Sequence, residues 1–337
     1  MVHFKGRRGL MRKKLFLFLL FLLVLVCATP SFAKGTQLNY RLKWLFNASV
    51  AGDIYADAQG FFSDVGLDVT VKEGSPEKNA INELELGYAA FGVASADQVI
   101  RALDKGAKIF VIAQLFQVNP MQWIYRTDQP EIKTLQDLKG RNIGITFGGN
   151  DETIMNTLFA KGGITKKDVT ITGVRFDFTP FLMRKVDVWP VYRNSQGVIL
   201  ESKLAKEGED VYFFNPADFG VSFVANSVIT SEAMLKNNPD LVEKFLKALL
   251  KGWEAAMDPA NEAGILDAVK KLDTSTSDDI RKKQLNATRS LIKPSASIKI
   301  GFIDMAAWKQ TEAMMLKEKQ IKKPVSIETH LIQPGKI

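Results

Sequence analysis

The residues best suited to bind a ligand follow a predicted strand, in the run FGGNDET near the middle of the chain. Gly148 and Gly149 would let the backbone approach a ligand closely, and a helix is predicted to begin directly after them. The N-terminus of a helix normally attracts anions, but Asp151 and Glu152 in its first turn would repel a phosphate or a sulfonate. Together with Asn150, these acids suit a ligand that carries amino groups, such as an aminopyrimidine. The alternative is that both acids only complement the helix dipole.

Two further junctions between a predicted strand and a predicted helix carry aromatic or polar side chains. Trp44 lies near the carboxyl end of the first predicted strand, where its ring could stack on a planar ligand, and Asn47 follows this strand. Ser95 and Gln98 have the spacing of a capping box, and Asp97 lies between them. We expect both segments to face a ligand. The alternatives are that Trp44 only covers the core and that Ser95 is only a helix cap.

A fourth junction places Trp189, Tyr192 and Asn194 within one turn. The two aromatic rings could close a stack opposite Trp44 around a planar ligand. Arg193 is the one positive charge in this turn and could pair with an acidic group of the ligand. The alternative for this segment is a packed hinge.

The sequence offers little for catalysis. Beyond residue 33 the histidine is His330, close to the C-terminus and therefore poorly placed for the base of a catalytic triad. A single cysteine, Cys27, rules out a disulfide framework and a Cys-rich metal site. The chain contains no GxSxG, HExxH, P-loop or GxGxxG motif. Paired carboxylates could still hydrolyse a substrate, but we predict a binding protein without cofactor or metal, not an enzyme.

The spacing of apolar residues predicts the elements that position these junctions. In the first part of the chain, strands alternate with helices in the rhythm of an open parallel sheet. These strands are predicted at residues 40–46, 67–71, 88–93 and 108–114. Later strands are predicted at residues 142–146, 169–174, 186–189 and 222–228. Helices dominate after Asn238, and the first of them should pack in the core through Leu241, Phe245, Leu249 and Trp253.

These elements predict an α/β protein with two lobes and a ligand cleft between them. Lobe 1 is predicted to comprise residues 34–125 and 222–337, and lobe 2 residues 126–221. The tail from residue 319 onward is predicted to be a surface strand or loop. Because ligands of open α/β sheets bind at the carboxyl ends of the strands, the four junctions should meet in this cleft.

Residues 1–33 have the pattern of a secretory signal peptide, cleaved after about Ala33. Six basic residues and no acid precede the apolar stretch 15–28, which is shorter than the roughly 18–20 apolar residues of a membrane span. Without this leader, 39 basic residues face 37 acidic ones, so no charge argument for a nucleic-acid partner remains. A lipidated Cys27 and a start at Met11 are alternatives for this region.

Several segments resemble the periplasmic substrate-binding proteins of ABC importers, and most of all the group that binds nitrate, sulfonates, taurine and thiamine pyrimidines. The similar segments, within residues 38–257, are LKW at 42–44, YADAQGFF at 55–62, GLDV at 66–69, AFGVASAD at 90–97 and LQDLKGRNIG at 135–144. The resemblance implies a type II periplasmic-binding fold with two lobes and two crossovers. It also implies ligand capture by lobe closure, and docking to a membrane permease that works with a cytoplasmic ATPase.

The same family includes pyrimidine synthases that use a histidine of their own and a cysteine-rich motif. Here the run FGG stands where cysteines would be expected, which argues for a binding protein. Family members that bind the thiamine pyrimidine use aromatic side chains and an acid in the cleft. By motif position, Trp44, Trp189, Tyr192 and Glu152 resemble that pattern.

We therefore expect an exported, monomeric solute receptor for an ABC importer, with a thiamine pyrimidine precursor as its leading ligand. A receptor for sulfonate, taurine or nitrate is the alternative within this class, and it would need more positive charge in the cleft than Arg193 supplies. A periplasmic sensor or partner-binding module and a pyrimidine-synthase-like enzyme are the alternatives outside the class.

Overall fold

The computed structural model describes residues 35–75, 77–175 and 177–337 of the chain. The predicted signal peptide, with Cys27 and Met11, lies outside these ranges. Residues 36–337 form one compact unit. Within the described ranges no helix combines the length and the apolar character needed to cross a bilayer.

The larger sheet has five strands, four from the first part of the chain and one from much later. They are β1 (Thr36–Arg41), β2 (Leu67–Lys72), β3 (Phe91–Ala94), β4 (Ile109–Gln114) and β10 (Ser227–Ser231). Their order is β2-β1-β3-β10-β4, with β1 parallel to β2 and β3, and β10 antiparallel to both β3 and β4. The first four strands therefore point the same way, as their rhythm predicts, but the chain returns to fill the place between β3 and β4.

The first strand ends five residues earlier than its predicted range of 40–46. The chain turns out of the sheet after Arg41, and the Trp44 carbonyl accepts the N–H of Gly74 at 3.0 Å. The Asn47 side chain then accepts a backbone N–H at the start of the 3₁₀ helix Ala48–Val50. This turn, rather than a longer strand, positions Trp44 and Asn47.

Three helices connect the first four strands. They are α1 (Ala51–Ala58), α2 (Ala80–Glu85) and α3 (Ala96–Asp104). Each lies between two consecutive strands, as the predicted alternation of strands and helices requires. The turns after β1 and β3, which carry the candidate residues, lie directly before α1 and α3.

The middle of the chain builds two smaller sheets. β5 (Met121–Arg126), β8 (Trp189–Tyr192) and β9 (Val211–Phe214) form an antiparallel sheet with β5 in the centre, while β6 (Asn142–Ile145) and β7 (Thr170–Gly173) pair in parallel. The helices of this part are α4 (Asn150–Gly162), α5 (Thr179–Leu182) and α6 (Gln196–Lys206). β5 and β9 are not among the predicted strands, because they lack the alternation of strand and helix on which that prediction relies.

The helices after β10 supply most of the core against the larger sheet. They are α7 (Glu232–Asn237), α8 (Pro239–Met257), α9 (Glu262–Leu272), α10 (Asp278–Ile292) and α11 (Met305–Lys317). On α8 the predicted apolar face is buried: the Phe245 ring stacks on Phe91 at 3.7 Å and meets Tyr40 edge-on at 5.1 Å. Each buried ring of this size stabilises the fold by about 2 kcal/mol.

The C-terminal tail is less exposed than predicted. Ile327 is fully buried, and Leu331 forms a parallel bridge with Val111 of β4. The reason is a hydrogen-bonding anchor: the carboxylate of Glu312 on α11 accepts the backbone N–H groups of Ser326 at 3.0 Å and Ile327 at 3.2 Å. The tail therefore packs against the larger sheet.

Two lobes follow from this division of the strands. The larger sheet draws on residues 36–114 and 227–231, and the smaller sheets on residues 121–214. β5 lies in the smaller part although it begins inside the range predicted for lobe 1, 34–125. The residue boundaries of the lobes stay a prediction, while the α/β fold with two lobes is the one observed.

Candidate functional site

A cavity of about 350 Å³ brings the predicted junctions together. Eight of the twelve candidate residues line it: Trp44, Asn47, Gly148, Gly149, Asn150, Asp151, Trp189 and Tyr192. The other four are not among its lining residues: Ser95, Asp97, Glu152 and Asn194. The volume falls at the lower end of the range of about 300–1,000 Å³ that is typical of small-molecule sites.

The glycine loop before α4 is held by the two acids that follow it. Gly148 adopts a left-handed conformation with φ of 78°, which favours glycine. The N–H of Thr146 donates to Asp151 Oδ2 at 2.6 Å, and the N–H of Gly148 donates to Glu152 Oε2 at 2.7 Å. A side chain at Gly149 would bring its Cβ within 2.4 Å of Asp151 Oδ1. Each acid therefore accepts, with one carboxylate oxygen, a hydrogen bond from its own loop.

A partly buried lysine faces this loop across the cavity. Lys43 Nζ donates to the Tyr192 hydroxyl, which donates to Asn150 Oδ1 at 3.0 Å. Burial lowers the pKa of Lys43 to about 8, although the carboxylates of Asp97 and Asp151 act in the opposite direction. At neutral pH the ammonium is therefore mostly charged, and its other N–H groups can meet a ligand oxygen.

The acid and the phenol near Lys43 are also perturbed. Burial raises the pKa of Asp151 to about 7, and the N–H of Thr146 and the charge of Lys43 limit the rise. Burial, followed by the negative charges nearby, raises the pKa of Tyr192 well above its usual value, so this phenol stays protonated. The wall thus combines a cation, a titratable acid and a neutral phenol, a mixture suited to a ligand with both donor and acceptor groups.

Aromatic rings form another part of the wall. Trp189 is 1% exposed and packs against Phe178 and Phe181 with ring centroids 6.2 Å and 6.1 Å away. Trp44 and Phe147 also line the cavity, and Phe147 remains 64% exposed. Rings held by packing can offer a fixed face for stacking of a planar ligand.

Two of the four non-lining candidates lie beneath the wall. The capping box of α3 forms as predicted between Ser95 and Gln98. The Ser95 hydroxyl donates to Asp97 Oδ1 at 2.6 Å, and both side chains are 1% exposed. Asp97 therefore contributes negative charge near Lys43 from behind the surface. A direct contact of either residue with a ligand remains a prediction.

The segment after β8 makes its contacts with other parts of the protein, and a contact of Asn194 with a ligand stays a prediction. Asn194 is fully buried, and its amide donates to Thr288 of α10 at 2.9 Å. Arg193 pairs with Glu201 at 3.0 Å and stacks over the Phe213 ring at 4.1 Å, so its charge is already neutralised outside the cavity. The cations that do line the cavity are Lys43, Lys78 and Arg175.

Sequence reasoning missed several lining residues. Lys43 lies beside Trp44, at a junction that was predicted to face a ligand, but lysine is usually exposed and gave no signal of its own. Asp273, Ser275, Thr276 and Gln284 come from α10 and the segment before it, in a region predicted to be mainly helical and given no ligand contact. The polar run DTSTSDD between two amphipathic helices is the signal that could have indicated them.

His330 plays no part in this cavity. Its Nδ1 lies 3.1 Å from the Ile109 carbonyl oxygen, and its ring packs on Phe110 at 5.1 Å. This position at the edge of the larger sheet agrees with a structural role for the histidine in anchoring the tail.

Comparison with known proteins shows to which family this chain belongs. The sequence model of the NMT1/THI5-like family matches residues 47–263. The riboflavin-binding protein RibY of Chloroflexus aurantiacus is 25% identical over 313 residues, 89% of this chain and 86% of that protein. The formylaminopyrimidine-binding protein of Halalkalibacterium halodurans is 25% identical over 225 residues, 66% of this chain and 67% of that protein.

A solved structure extends the likeness to the fold. The alkanesulfonate-binding protein SsuA of Xanthomonas axonopodis pv. citri superposes with a TM-score of 0.69 at 15% identity, covering 89% of this chain and 99% of that one. Since the family match spans more than half of the chain, the protein belongs to the NMT1/THI5-like family, with the two-lobed fold of the periplasmic solute-binding proteins of ABC importers.

Proposed function

We propose that this protein is the exported solute-binding component of an ABC importer and captures a small, planar, amino-bearing heterocycle. The observation that carries the proposal is the cavity between the lobes, with aromatic rings and both hydrogen-bond donors and acceptors in its wall. Trp44 and Lys43 come from the larger lobe, and Trp189 and Tyr192 from the smaller one. A ligand there would touch both lobes and so favour their closure.

A pyrimidine precursor of thiamine is our leading ligand. The names of the two relatives give riboflavin and a formylaminopyrimidine as what those proteins bind, and both compounds are planar nitrogen heterocycles. Stacking between aromatic side chains suits such rings. Lys43 would meet a ring nitrogen or carbonyl oxygen, and the acids of the wall would meet amino groups.

A sulfonate receptor is the second candidate, favoured by one observation. Lys43, Lys78 and Arg175 all line the cavity, so the positive charge that Arg193 does not supply comes from other residues. However, Arg175 pairs with Glu77, and the carboxyl groups of Asp151 and Asp273 share the wall with the cations. A sulfonate would therefore meet repulsion as well as attraction.

The implied cycle ends with delivery of the closed, loaded protein to a membrane permease and its cytoplasmic ATPase. Turnover plays no part in it. A sensor would use the same capture step but pass the signal to another partner. An enzyme would return a changed compound, so recovery of intact ligand separates it from both kinds of receptor.

The test is a binding panel on residues 34–337, using thermal shift followed by calorimetry. Aminopyrimidines, riboflavin, taurine, alkanesulfonates and nitrate are offered separately. Ligand at about a hundred times its dissociation constant should stabilise the protein by about 2.7 kcal/mol. An aminopyrimidine hit, recovered unchanged by mass spectrometry, supports the proposal. A sulfonate or nitrate hit alone, or a chemically altered product, contradicts it.

A further inference from the structure

A buried carboxylate oxygen in the cavity wall has no partner. Asp273 is 8% exposed, and its Oδ1 accepts the Ser275 hydroxyl at 3.1 Å and the Thr276 N–H at 3.2 Å. Its Oδ2 is buried and accepts no hydrogen bond from the described residues. Asp273, Ser275 and Thr276 all line the cavity. One oxygen is thus fixed by its own turn while the other is left for something else.

A second unpartnered acceptor lines the same cavity. Gln284, on α10, is fully buried, and its Nε2 donates to the Ser195 carbonyl at 3.4 Å. This bond orients the amide, and Oε1 is left buried without a partner among the described residues. Gln284 lines the cavity as Asp273 does. The segment that starts at Asp273 therefore offers two oriented acceptors at the cavity. The unpartnered donor of the same segment, Arg281 Nε, belongs to a residue that does not line the cavity.

The nearby arginine supports this segment without binding the free oxygen. The Arg281 guanidinium donates to the backbone carbonyls of Asp273 at 2.9 Å and Thr276 at 2.5 Å, and it also binds the Asp278 carboxylate. Its contacts fix the shape of the turn. In the described part of the chain, no basic side chain lies within ion-pair distance of the Asp273 carboxylate.

Leaving buried acceptors unpaired is costly, about 1–3 kcal/mol for a neutral group and more for a charged one. Native proteins keep few such atoms, and each needs an explanation. Of the nine found among the described residues, Asp273 Oδ2 and Gln284 Oε1 are the two whose residues line the cavity. Building on the proposed function, we infer that Asp273 and Gln284 form the subsite for the amino group of the ligand. One N–H donates to Asp273 Oδ2 and the other to Gln284 Oε1.

This assignment differs from the sequence-based one and lies outside the family match. Asp151 and Glu152 already accept backbone N–H groups of their own loop, whereas Asp273 Oδ2 is free. Asp273 and Gln284 both lie C-terminal to the family match, which ends at residue 263.

The test uses a pair of probes that differ in one group, 4-amino-2-methylpyrimidine and 2,4-dimethylpyrimidine. Calorimetry with residues 34–337 should show that the wild type binds the amino compound at least about tenfold more tightly, as expected for a hydrogen bond to a charged group. Asp273→Asn presents a donor where the ligand needs an acceptor and should reduce that preference to within about twofold. Gln284→Met should reduce it as well.

Two controls separate recognition from folding. Asp279→Asn makes the same charge change on the exposed side of α10 and should leave the preference intact. Without ligand, Asp273→Asn should unfold at the same temperature as the wild type or higher, because a buried, unpaired charge is removed. A residue with only a structural role would instead lose stability.

The other possible results would show either that the subsite is wrong or that the proposed function is wrong. If the wild type prefers the amino probe and Asp273→Asn and Gln284→Met keep that preference, the subsite is wrong while the proposed function stands. If the wild type binds both probes equally, the subsite is wrong as well, while the proposed receptor function stands. If the wild type binds neither probe, the proposed function fails, and the subsite fails with it.

Discussion

The Asn47 side-chain amide donates to the Ser195 hydroxyl at 3.2 Å, although the two residues are 148 positions apart in the chain. Asn47 follows β1 of the larger lobe, and Ser195 follows β8 of the smaller one. Both are at least nine-tenths buried and both line the cavity. The contact joins the lobes directly beside the ligand site, so it should depend on, and contribute to, the closed arrangement.

Removing the hydroxyl from this contact should weaken ligand binding without harming the fold. Ser195→Ala deletes one hydrogen bond of about 0.5–1.5 kcal/mol, so affinity should fall about threefold to tenfold. Asn47→Ala also deletes the cap on the Ser49 N–H and should additionally lower stability by about 1 kcal/mol. Calorimetry and urea unfolding of both variants check this. Equal affinities for Ser195→Ala and wild type would show that the contact does not contribute to closure.

Lys43 should make ligand binding sensitive to alkaline pH. Burial lowers its pKa to about 8, so the ammonium loses its proton as the pH rises from about 7 to 9. An acceptor on the ligand then loses its charged donor, and affinity should fall about tenfold. Asp151, with its pKa raised to about 7, is half ionised at pH 7 and mostly ionised by pH 7.5, so its contribution above pH 7.5 is small.

The check is calorimetry at pH 7.5 and 9.5 with the hit of the binding panel. Lys43→Met should bind more weakly at pH 7.5 and lose this pH dependence. Lys78→Met, an exposed cation at the same cavity, serves as the control and should keep it. A wild type with equal affinity at both values would remove Lys43 from the list of ligand contacts.

The sequence predicts the larger sheet better than the smaller ones, for a physical reason. β1 to β4 alternate with helices, and this pattern is local and regular. The position of β10 between β3 and β4 depends on pairing with strands more than a hundred residues away, which no local pattern encodes. The antiparallel β5 and β9 are set by their partners in the same way.

The candidate site also contains residues that a local pattern predicts and residues that only the folded chain brings to the cavity. Turn chemistry located Gly148, Gly149 and Asp151, because glycine and capping acids act on their immediate neighbours. Asp273 and Gln284 reach the cavity only through packing of the C-terminal helices against the lobes. The polar run before α10 indicates a turn, but the sequence does not show that this turn faces the cavity. The ion pair between Arg193 and Glu201 was not predicted either, because Glu201 comes next to Arg193 only when α6 has folded.

Substitutions of Glu152 and of Trp189 should have different effects on ligand affinity. Glu152 accepts the Gly148 N–H and does not line the cavity, so Glu152→Ala should cost about 1 kcal/mol of stability and change affinity less than about twofold. Trp189 lines the cavity, and Trp189→Phe should weaken binding of a planar ligand about tenfold, since it removes stacking area. Thermal unfolding and calorimetry check both variants. A large loss of affinity in Glu152→Ala would restore Glu152 as a ligand contact.

The close approach of α1 and α8 should tolerate no side chain at Gly52. A Cβ there would lie 2.1 Å from Trp253 Cδ2, and overpacking of a core typically costs about 1–3 kcal/mol. Gly52→Ala should lower the free energy of unfolding by this amount or more. Gly264→Ala in α9 is the control: its Cβ would be 3.5 Å from the nearest atom, the Tyr55 hydroxyl oxygen, and it should stabilise the helix by about 0.5–1 kcal/mol. Similar losses in both variants would contradict the proposed steric cause.

A buried acid in the core should make the fold less stable as the pH rises. Asp53 is 1% exposed, and its Oδ1 accepts the Tyr40 hydroxyl at 2.6 Å. Burial raises the pKa of Asp53 to about 7, a rise that the hydrogen bond from Tyr40 limits. Between about pH 4 and 7 the unfolded chain is ionised at this position while the folded chain still holds the proton. The folded state therefore binds more protons, and stability must fall as the pH increases through this window and level off above it.

Asp53→Asn tests this linkage because it keeps an acceptor for Tyr40 and cannot ionise. Urea unfolding at pH 5 and 8 should show a loss of a few kcal/mol for the wild type, since one pKa unit corresponds to about 1.4 kcal/mol. The variant should lose clearly less. Asp151, whose pKa burial also raises to about 7, would account for part of what remains, so the double variant Asp53→Asn with Asp151→Asn should be flatter still. An Asp53→Asn protein as sensitive to pH as the wild type would mean that Asp53 is ionised in the folded core, with Tyr40 as the donor that stabilises its charge.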